Sequence, residues 1–358
     1  SDRRPTPGGR PPLRHAAGAV LTGVLLAGAL VGCGQKDSGS ADSDVIKIGG
    51  IAPLTGNVAV YGVAASNGAK LAIEEINASG GILGKKIEYI EYDDKGDTTE
   101  AVNAYKKLVN NNKVNAIIGA VTSKPTLAIT PLAAKEGIPM ITPTATALDV
   151  TAAGTNIFRT CFIDPYQGEI MAKFALENLN ASKAAVLYNT ADDYSLGVAE
   201  AFKNYFEANG GTVVSYEGYG ADEKDYKAIL TNVKTQNPDV LFLPDYYNTV
   251  GLIAQQVKEV GINATLLGAD GWDGVLTVAP EAVEGGYFCN HYSTDDTAEE
   301  VQNFIKKYKE TYNEDPVSFA ALGYDTVKIL AAAIEKAGTT DYDAVVKALA
   351  ETNITSVT

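Results

Sequence analysis

Residues 119–125, Gly-Ala-Val-Thr-Ser-Lys-Pro, end an apolar run in two small hydroxyls, with a proline two residues beyond Ser123. Ser123 suits a helix N-cap and Pro125 a first helical turn, where its missing N–H costs nothing. The following TLAITPLAAKEG then continues as a helix. Unpaired backbone amides beside a hydroxyl, at the positive end of a helix, form a seat for a small anion. An ordinary capped helix has the same seven residues, so on their own they leave both readings open. Nucleophilic chemistry has less support. Beyond Cys33 the chain has one histidine, His291, and two cysteines, Cys161 and Cys289, with no CxxC pair. A GxSxG elbow is missing, so a hydrolase would have a single candidate base and no strained nucleophile turn. One histidine also gives no His-rich metal site. The two cysteines permit one disulfide, but read more naturally as isolated, buried residues.

The elements that must position these groups alternate. VIKIGGIAP, KKIEYIEYDD, NAIIGAV and IPMITP read as strands, and AASNGAKLAIEEINASG between the first two reads as a helix ending at Gly80-Gly81. Asp97 with Glu100 three residues on forms a capping-box pattern, and Ala101, Tyr105 and Leu108 then share one helical face. A second series follows TNIFRTCFIDPYQG. Its strands are AAVLYN, TVVSYEGY, DVLFLPDYY, ATLLGADG and GGYFCNHY, separated by LGVAEAFKNYFEANGG and TVGLIAQQVKEVG. Two long helical stretches close the chain with no strong strand between them. Strand–helix alternation with mostly buried strands indicates α/β doubly wound sheets.

The chain has 358 residues, 46% of them hydrophobic, which suggests about two domains. Its formal net charge is −15, and setting aside residues 1–32 removes four arginines and one aspartate, giving −18. Such acidity argues against nucleic acid or an anionic membrane as an electrostatic partner. The first 32 residues form a basic stretch and then a short apolar run, the pattern of an export signal rather than a membrane span. Leu30-Val31-Gly32-Cys33 resembles a bacterial lipobox, in which Cys33 is lipidated; a plain cleaved signal with an incidental cysteine is the alternative. Residues 33–44 read as a flexible tether.

From residue 45 to about 355 the order of segments resembles the leucine/isoleucine/valine-binding family of periplasmic-type substrate-binding proteins. The segments that carry the likeness are IGGIAPLTGNVAVYG, GAKLAIEEINASGGILGKKIEYIEYDD, IIGAVTSKPT, GIPMITPTATA, FRTCFIDPYQG, DVLFLPDYYNTVG and LLGADGW. The resemblance implies two Rossmann-like lobes with parallel-rich sheets, joined by a three-stranded hinge, with ligand held in the cleft between them. It divides the chain into lobe 1 (45–164 plus 294–352) and lobe 2 (165–293). Residues 353–358 would begin a third crossover, and the family's further strand segment makes the natural C-terminus an expected omission.

The same resemblance implies site residues. Ser123, with Thr144 and Thr146, falls where the family holds an amino-acid carboxylate, Thr144 acting through its backbone. Hydroxyls and amides donate to a carboxylate without adding a charge that needs its own counterion. Asp270 falls at the acidic position that receives the α-ammonium; from its local sequence alone it reads as a loop residue after a strand. Tyr61, Tyr194 and Tyr246 match cleft-lining aromatics, able to wall an aliphatic side chain and offer one hydroxyl. Tyr247 would point away from Tyr246 if the strand persisted. Trp272 reads equally as a pocket cover or as core. Lys124 departs from the family's small hydroxyls and is expected to face solvent. The family's first-lobe disulfide positions are Gly96 and Thr122 here, so that bridge is missing.

The implied function is an extracytoplasmic, lipid-anchored receptor that delivers an L-amino acid, branched-chain or otherwise aliphatic, to an ABC importer. It would be a monomer with no cofactor, no catalysis and permease subunits as partners. The alternative keeps the fold but takes an amide, urea or aromatic acid, for transport or sensing.

Overall fold

The computed structural model describes residues 44–358. The signal, Cys33 and all but the last tether residue lie outside the described residues.

Among the described residues ten strands make two five-stranded sheets, and every strand pair in them is parallel. The first sheet takes β1 (Val45–Ala52), β2 (Lys86–Asp93), β3 (Ala116–Ile118), β4 (Met140–Thr142) and β5 (Ile157–Arg159), in the order β2-β1-β3-β4-β5. The second takes β6 (Lys183–Asn189), β7 (Thr212–Tyr219), β8 (Val240–Phe242), β9 (Thr265–Gly268) and β10 (Tyr287–Phe288), ordered β10-β9-β8-β6-β7. Both orders reverse beside the first strand of the sheet, the switch point where open α/β sheets place their ligands. The central strands β3, β4 and β8 are buried throughout. Such strands need helices on both faces.

Ten α-helices supply that cover. α1 (Ala59–Ala78), α2 (Thr98–Lys106) and α3 (Ser123–Glu136) follow the first three strands. α4 (Asp164–Glu177), α5 (Asp193–Ala208), α6 (Lys227–Thr235) and α7 (Tyr247–Val260) surround the second sheet. α8 (Glu299–Tyr312), α9 (Ser318–Ala337) and α10 (Tyr342–Ala350) return to the first. The Asp97 cap is formed as its spacing predicts, its carboxylate accepting from the Glu100 amide at 2.9 Å. α3 begins one residue earlier than the cap pattern suggests: Thr122 holds the extended N-cap conformation and Ser123 is the first helical residue. Ser123 therefore does not cap, which leaves its hydroxyl free to bond elsewhere.

α9 lies along α1 although the two are distant in sequence. Gly68 and Gly323 allow it, because a Cβ on Gly68 would overlap the Ala320 carbonyl and one on Gly323 the Ala65 carbonyl. Glu75 on α1 adds ion pairs to Lys307 at 2.9 Å and Lys328 at 3.1 Å. These partly exposed pairs contribute little beside the close packing. Two segments pass between the sheets, one after β5 and one after β10. They meet where the Phe162 ring packs on His291 at 3.6 Å between centroids. Burial pushes the His291 imidazole down to about 3, so it is neutral.

Gly68→Ala should destabilise the protein despite alanine's helix preference. Overpacking costs about 1–3 kcal/mol, against a propensity gain of about 0.5–1. Urea unfolding should show a lower midpoint, and an unchanged or higher midpoint would mean the helices part freely.

Candidate functional site

Lobe 1, the half built on the first sheet, contributes a group of buried hydroxyls. Ser123, at the start of α3, is 2% exposed, and its Oγ accepts from the Ala147 amide at 3.2 Å. Thr144 donates its hydroxyl to the Val121 carbonyl at 2.6 Å, tying the loop after β4 to the loop after β3. Its side chain is thereby committed, and its backbone is what it can offer. Thr146 is buried beside them, and its carbonyl accepts from the Asp164 amide at 2.9 Å. The first amides of α3 have no intrahelical partners, as at any helix start.

Lobe 2, the half built on the second sheet, contributes carboxyls. Asp270 begins a short 3-10 turn, Asp270–Trp272, directly after β9. Its neighbours are neutral donors. Gln167 Nε2 donates to Asp270 Oδ1 at 3.2 Å, and the Asp270 amide donates back to Gln167 Oε1 at 2.9 Å. The same Nε2 reaches Asp164 Oδ1 at 3.3 Å, so a single amide joins two carboxyls. Burial pushes Asp270 up to about 7, with the Tyr194 hydroxyl and Gln167 opposing the rise. Asp164 is raised well above the usual range, again chiefly by burial, with Asp270 adding to it. The Thr146 hydroxyl tempers that rise, yet Asp164 Oδ2 accepts no well-formed hydrogen bond among the described residues. Asp192 rises to about 7 and Asp245 to about 6, both mainly by burial. No lysine or arginine forms an ion pair with any of these four among the described residues. These buried carboxyls have no resident cation among the described residues, and burial answers that lack by raising their pKa values.

Aromatic rings fill the space between. Tyr61 on α1 is completely buried, and its hydroxyl donates to the Gly271 carbonyl and accepts from the Tyr247 amide, the latter at 2.9 Å. Both partners belong to lobe 2, so this phenol bridges the halves. Tyr194 and Tyr246 stack at 5.0 Å with their planes 8° apart, and Tyr61 meets Tyr246 edge-on at 5.7 Å. The Tyr194 hydroxyl accepts from the Gly271 amide at 2.9 Å. Burial raises the phenols of Tyr61, Tyr194 and Tyr246, so all three stay protonated.

Further contacts hold the halves together. Asp273 of lobe 2 accepts from the Ser318 amide at 2.7 Å, placing a carboxylate on the N-terminus of α9. The Asn248 side chain donates to the Asn57 carbonyl. Lys124 is exposed, as expected, and its ammonium also donates across the cleft to the Ala191 carbonyl at 2.7 Å.

One other expectation needs correction. β8 stops at Phe242, so no strand alternation separates Tyr246 from Tyr247; Tyr246 is the residue before α7, Tyr247 opens it, and both touch Tyr61. Trp272 is core: 1% exposed, with its indole donating to the Leu243 carbonyl at 2.9 Å. Cys161 and Cys289 are isolated, as expected: both are free thiols, Cys161 buried and Cys289 partly so. Sequence reasoning missed Gln167, Asp164 and Asp192, and also Phe319, which stacks on Tyr61 at 4.3 Å.

Two lobes each built on a five-stranded parallel sheet have known counterparts. The sequence profile of the periplasmic binding protein family matches residues 45–358. The chain belongs to this family. It is 37% identical over 308 residues to the Leu/Ile/Val-binding protein BraC3 of Rhizobium johnstonii, covering 85% of this chain and 83% of that one. The solved branched-chain amino acid transporter substrate-binding protein LivJ of Streptococcus pneumoniae, in complex with isoleucine, is 36% identical. It superposes with a TM-score of 0.83, covering 87% of this chain and 90% of that one. A solute-binding protein of an ABC transporter from R. palustris, in complex with benzoate, is 25% identical with a TM-score of 0.80 and covers 87% of each chain.

Gln167→Leu removes the one donor shared by Asp164 and Asp270. Both carboxyls should then climb further, making the ionised forms costlier in the folded state. Stability relative to the parent should fall most above pH 7, where the parent's Asp270 is ionised, and least near pH 4, where it is protonated in both. Urea unfolding from pH 4 to 8 would show this; a pH-independent difference would contradict the linkage.

Proposed function

We propose that this protein is an extracytoplasmic receptor that captures an L-amino acid with an aliphatic side chain and presents it to an ABC importer. What supports the reading is the hydrogen-bonded chain from the Asp270 carboxyl through Gln167 and Asp164 to the Thr146 carbonyl, which ties the acidic turn of one lobe to the loop that carries Thr144 and Thr146 beside Ser123 in the other. An α-carboxylate fits the hydroxyls and the first amides of α3, and an α-ammonium fits Asp270. Tyr61, Tyr194, Tyr246 and Phe319 enclose the side chain, where burial contributes about 25 cal/mol per Å² of apolar area. A zwitterion touching both lobes has contacts in the closed state that the open state lacks, which is what shifts the population toward closure. Nothing in this arrangement breaks a bond of the ligand, so the role proposed is binding and hand-over. The relatives named as Leu/Ile/Val-binding support the ligand class. Lipidation at Cys33, with 33–44 as tether, permease subunits as partners and a monomeric state complete the proposal.

The aromatic enclosure also favours a second reading, an aromatic carboxylate as in the R. palustris relative. Such an anion would leave Asp270 and Asp164 facing it with no cation between, which costs free energy in a buried site. The amino acid is therefore preferred.

Asp270→Ala removes one partner of a buried charge pair, a loss of about 3–5 kcal/mol. Leucine or isoleucine should bind roughly two to three-and-a-half orders of magnitude more weakly by calorimetry. A change smaller than about threefold would remove Asp270 from the site. If benzoate rather than leucine raises the melting temperature of the parent protein, the second reading replaces the first.

A further inference from the structure

A cavity of about 620 Å³ lies beside the cleft, walled by both lobes. Lobe 1 supplies Leu127 of α3 and residues Ala147, Leu148 and Asp149; lobe 2 supplies faces of α4 and α5. Five carboxyls line it: Asp149, Asp164, Glu169, Asp193 and Glu200. No lysine or arginine is among its lining residues, and Lys124 nearby is engaged with the Ala191 carbonyl. An acidic surface by itself says only that the chain is acidic. The second observation is Asp164. It is 1% exposed, it lines this cavity, and its Oδ2 has no hydrogen-bond partner among the described residues. That oxygen lies where a Cβ on Gly197, another lining residue, would be 3.5 Å away, so it faces α5.

The distribution of charge selects the occupant. Among the described residues no group of three or more acidic, histidine or cysteine side chains is gathered closely enough to hold a metal ion. The carboxyls are spread along the cavity, with Leu127, Leu148, Pro165 and Tyr205 between them. A point cation would satisfy one or two; an extended one with apolar spacers could satisfy several. We propose that this cavity is a second binding site, for a linear alkyl polyamine whose ammonium groups reach Asp164 and the carboxyls of both lobes.

Two consequences follow. The occupant contacts both lobes, so it binds the closed arrangement better than the open one. Through Asp164 and Gln167 the cavity also connects to Asp270, so polyamine and amino acid should each tighten the other's binding by the same factor. The coupling rests on the proposed amino-acid reading; the cavity's own occupancy does not.

Calorimetric titration of the full chain with spermidine, at low and at physiological salt, is the test. Saturable one-to-one binding is expected, weakened about five- to tenfold in the Glu169→Gln/Glu200→Gln double variant. The control double variant Glu310→Gln/Asp343→Asn makes the same change in net charge on exposed sites elsewhere and should leave the affinity unchanged. Leucine at saturation should tighten spermidine about fivefold or more. No saturable heat, or equal weakening by the control, overturns the site, because the effect is then bulk charge. If leucine binds but leaves spermidine affinity unchanged, the coupling is overturned. If leucine does not bind while spermidine does, only the amino-acid reading fails.

Discussion

The buried carboxyl of Asp270 sets the terms for this molecule. A carboxylate removed from water without a cation loses solvation that neutral donors restore only in part. Gln167 and Tyr194 supply such donors, and burial still pushes Asp270 up to about 7. The site is therefore poised: a proton relieves it, and so does an ammonium. Structure farther away exists to keep it so. The parallel sheet brings β9 to its end at this point, and α4 delivers Asp164 and Gln167 from the start of the second lobe. Tyr61 closes the roof from the first lobe by bonding to the turn that carries Asp270.

The cross-cleft contacts differ in kind. Tyr61 and Asp273 bond to backbone groups at turns and helix ends, which hold their positions because the sheets hold them. Lys124 and Asn248 reach across with exposed polar ends, which solvent can replace at low cost. On the proposed reading, the protein's own contacts favour closure less than a ligand that bridges both lobes does. A receptor needs that balance, since a clamp that shuts tightly without ligand would neither admit nor release it.

Much of the fold was legible because its strands are short buried runs between amphipathic helices, and Asp97 and the Gly80-Gly81 pair mark helix ends locally. Ser123, the threonines and Asp270 were reached through family resemblance; the local sequence of Asp270 alone reads as a loop. Gln167 was illegible for a physical reason: its partner Asp270 is 103 residues away, and nothing in DPYQG distinguishes it from an exposed helical glutamine. Asp164 in an Asp-Pro helix start looks like a local cap, while one of its oxygens in fact accepts from Gln167 and the other faces α5. Phe319 belongs to a helix whose spacing shows only that it packs somewhere. The Tyr246–Tyr247 reading failed because alternation requires a strand, and β8 has only three residues.

Cutting the ligand, rather than the protein, questions the account most directly. Leucine can be compared by calorimetry with its two truncated analogues, 4-methylpentanoate without the ammonium and 3-methylbutylamine without the carboxylate. If separate halves of the cleft each grip one end of a dipolar molecule, both analogues should bind at least about a hundredfold more weakly, as expected when one partner of a buried pair is missing. An analogue that binds within about threefold of leucine would show that one of the two grips does not exist.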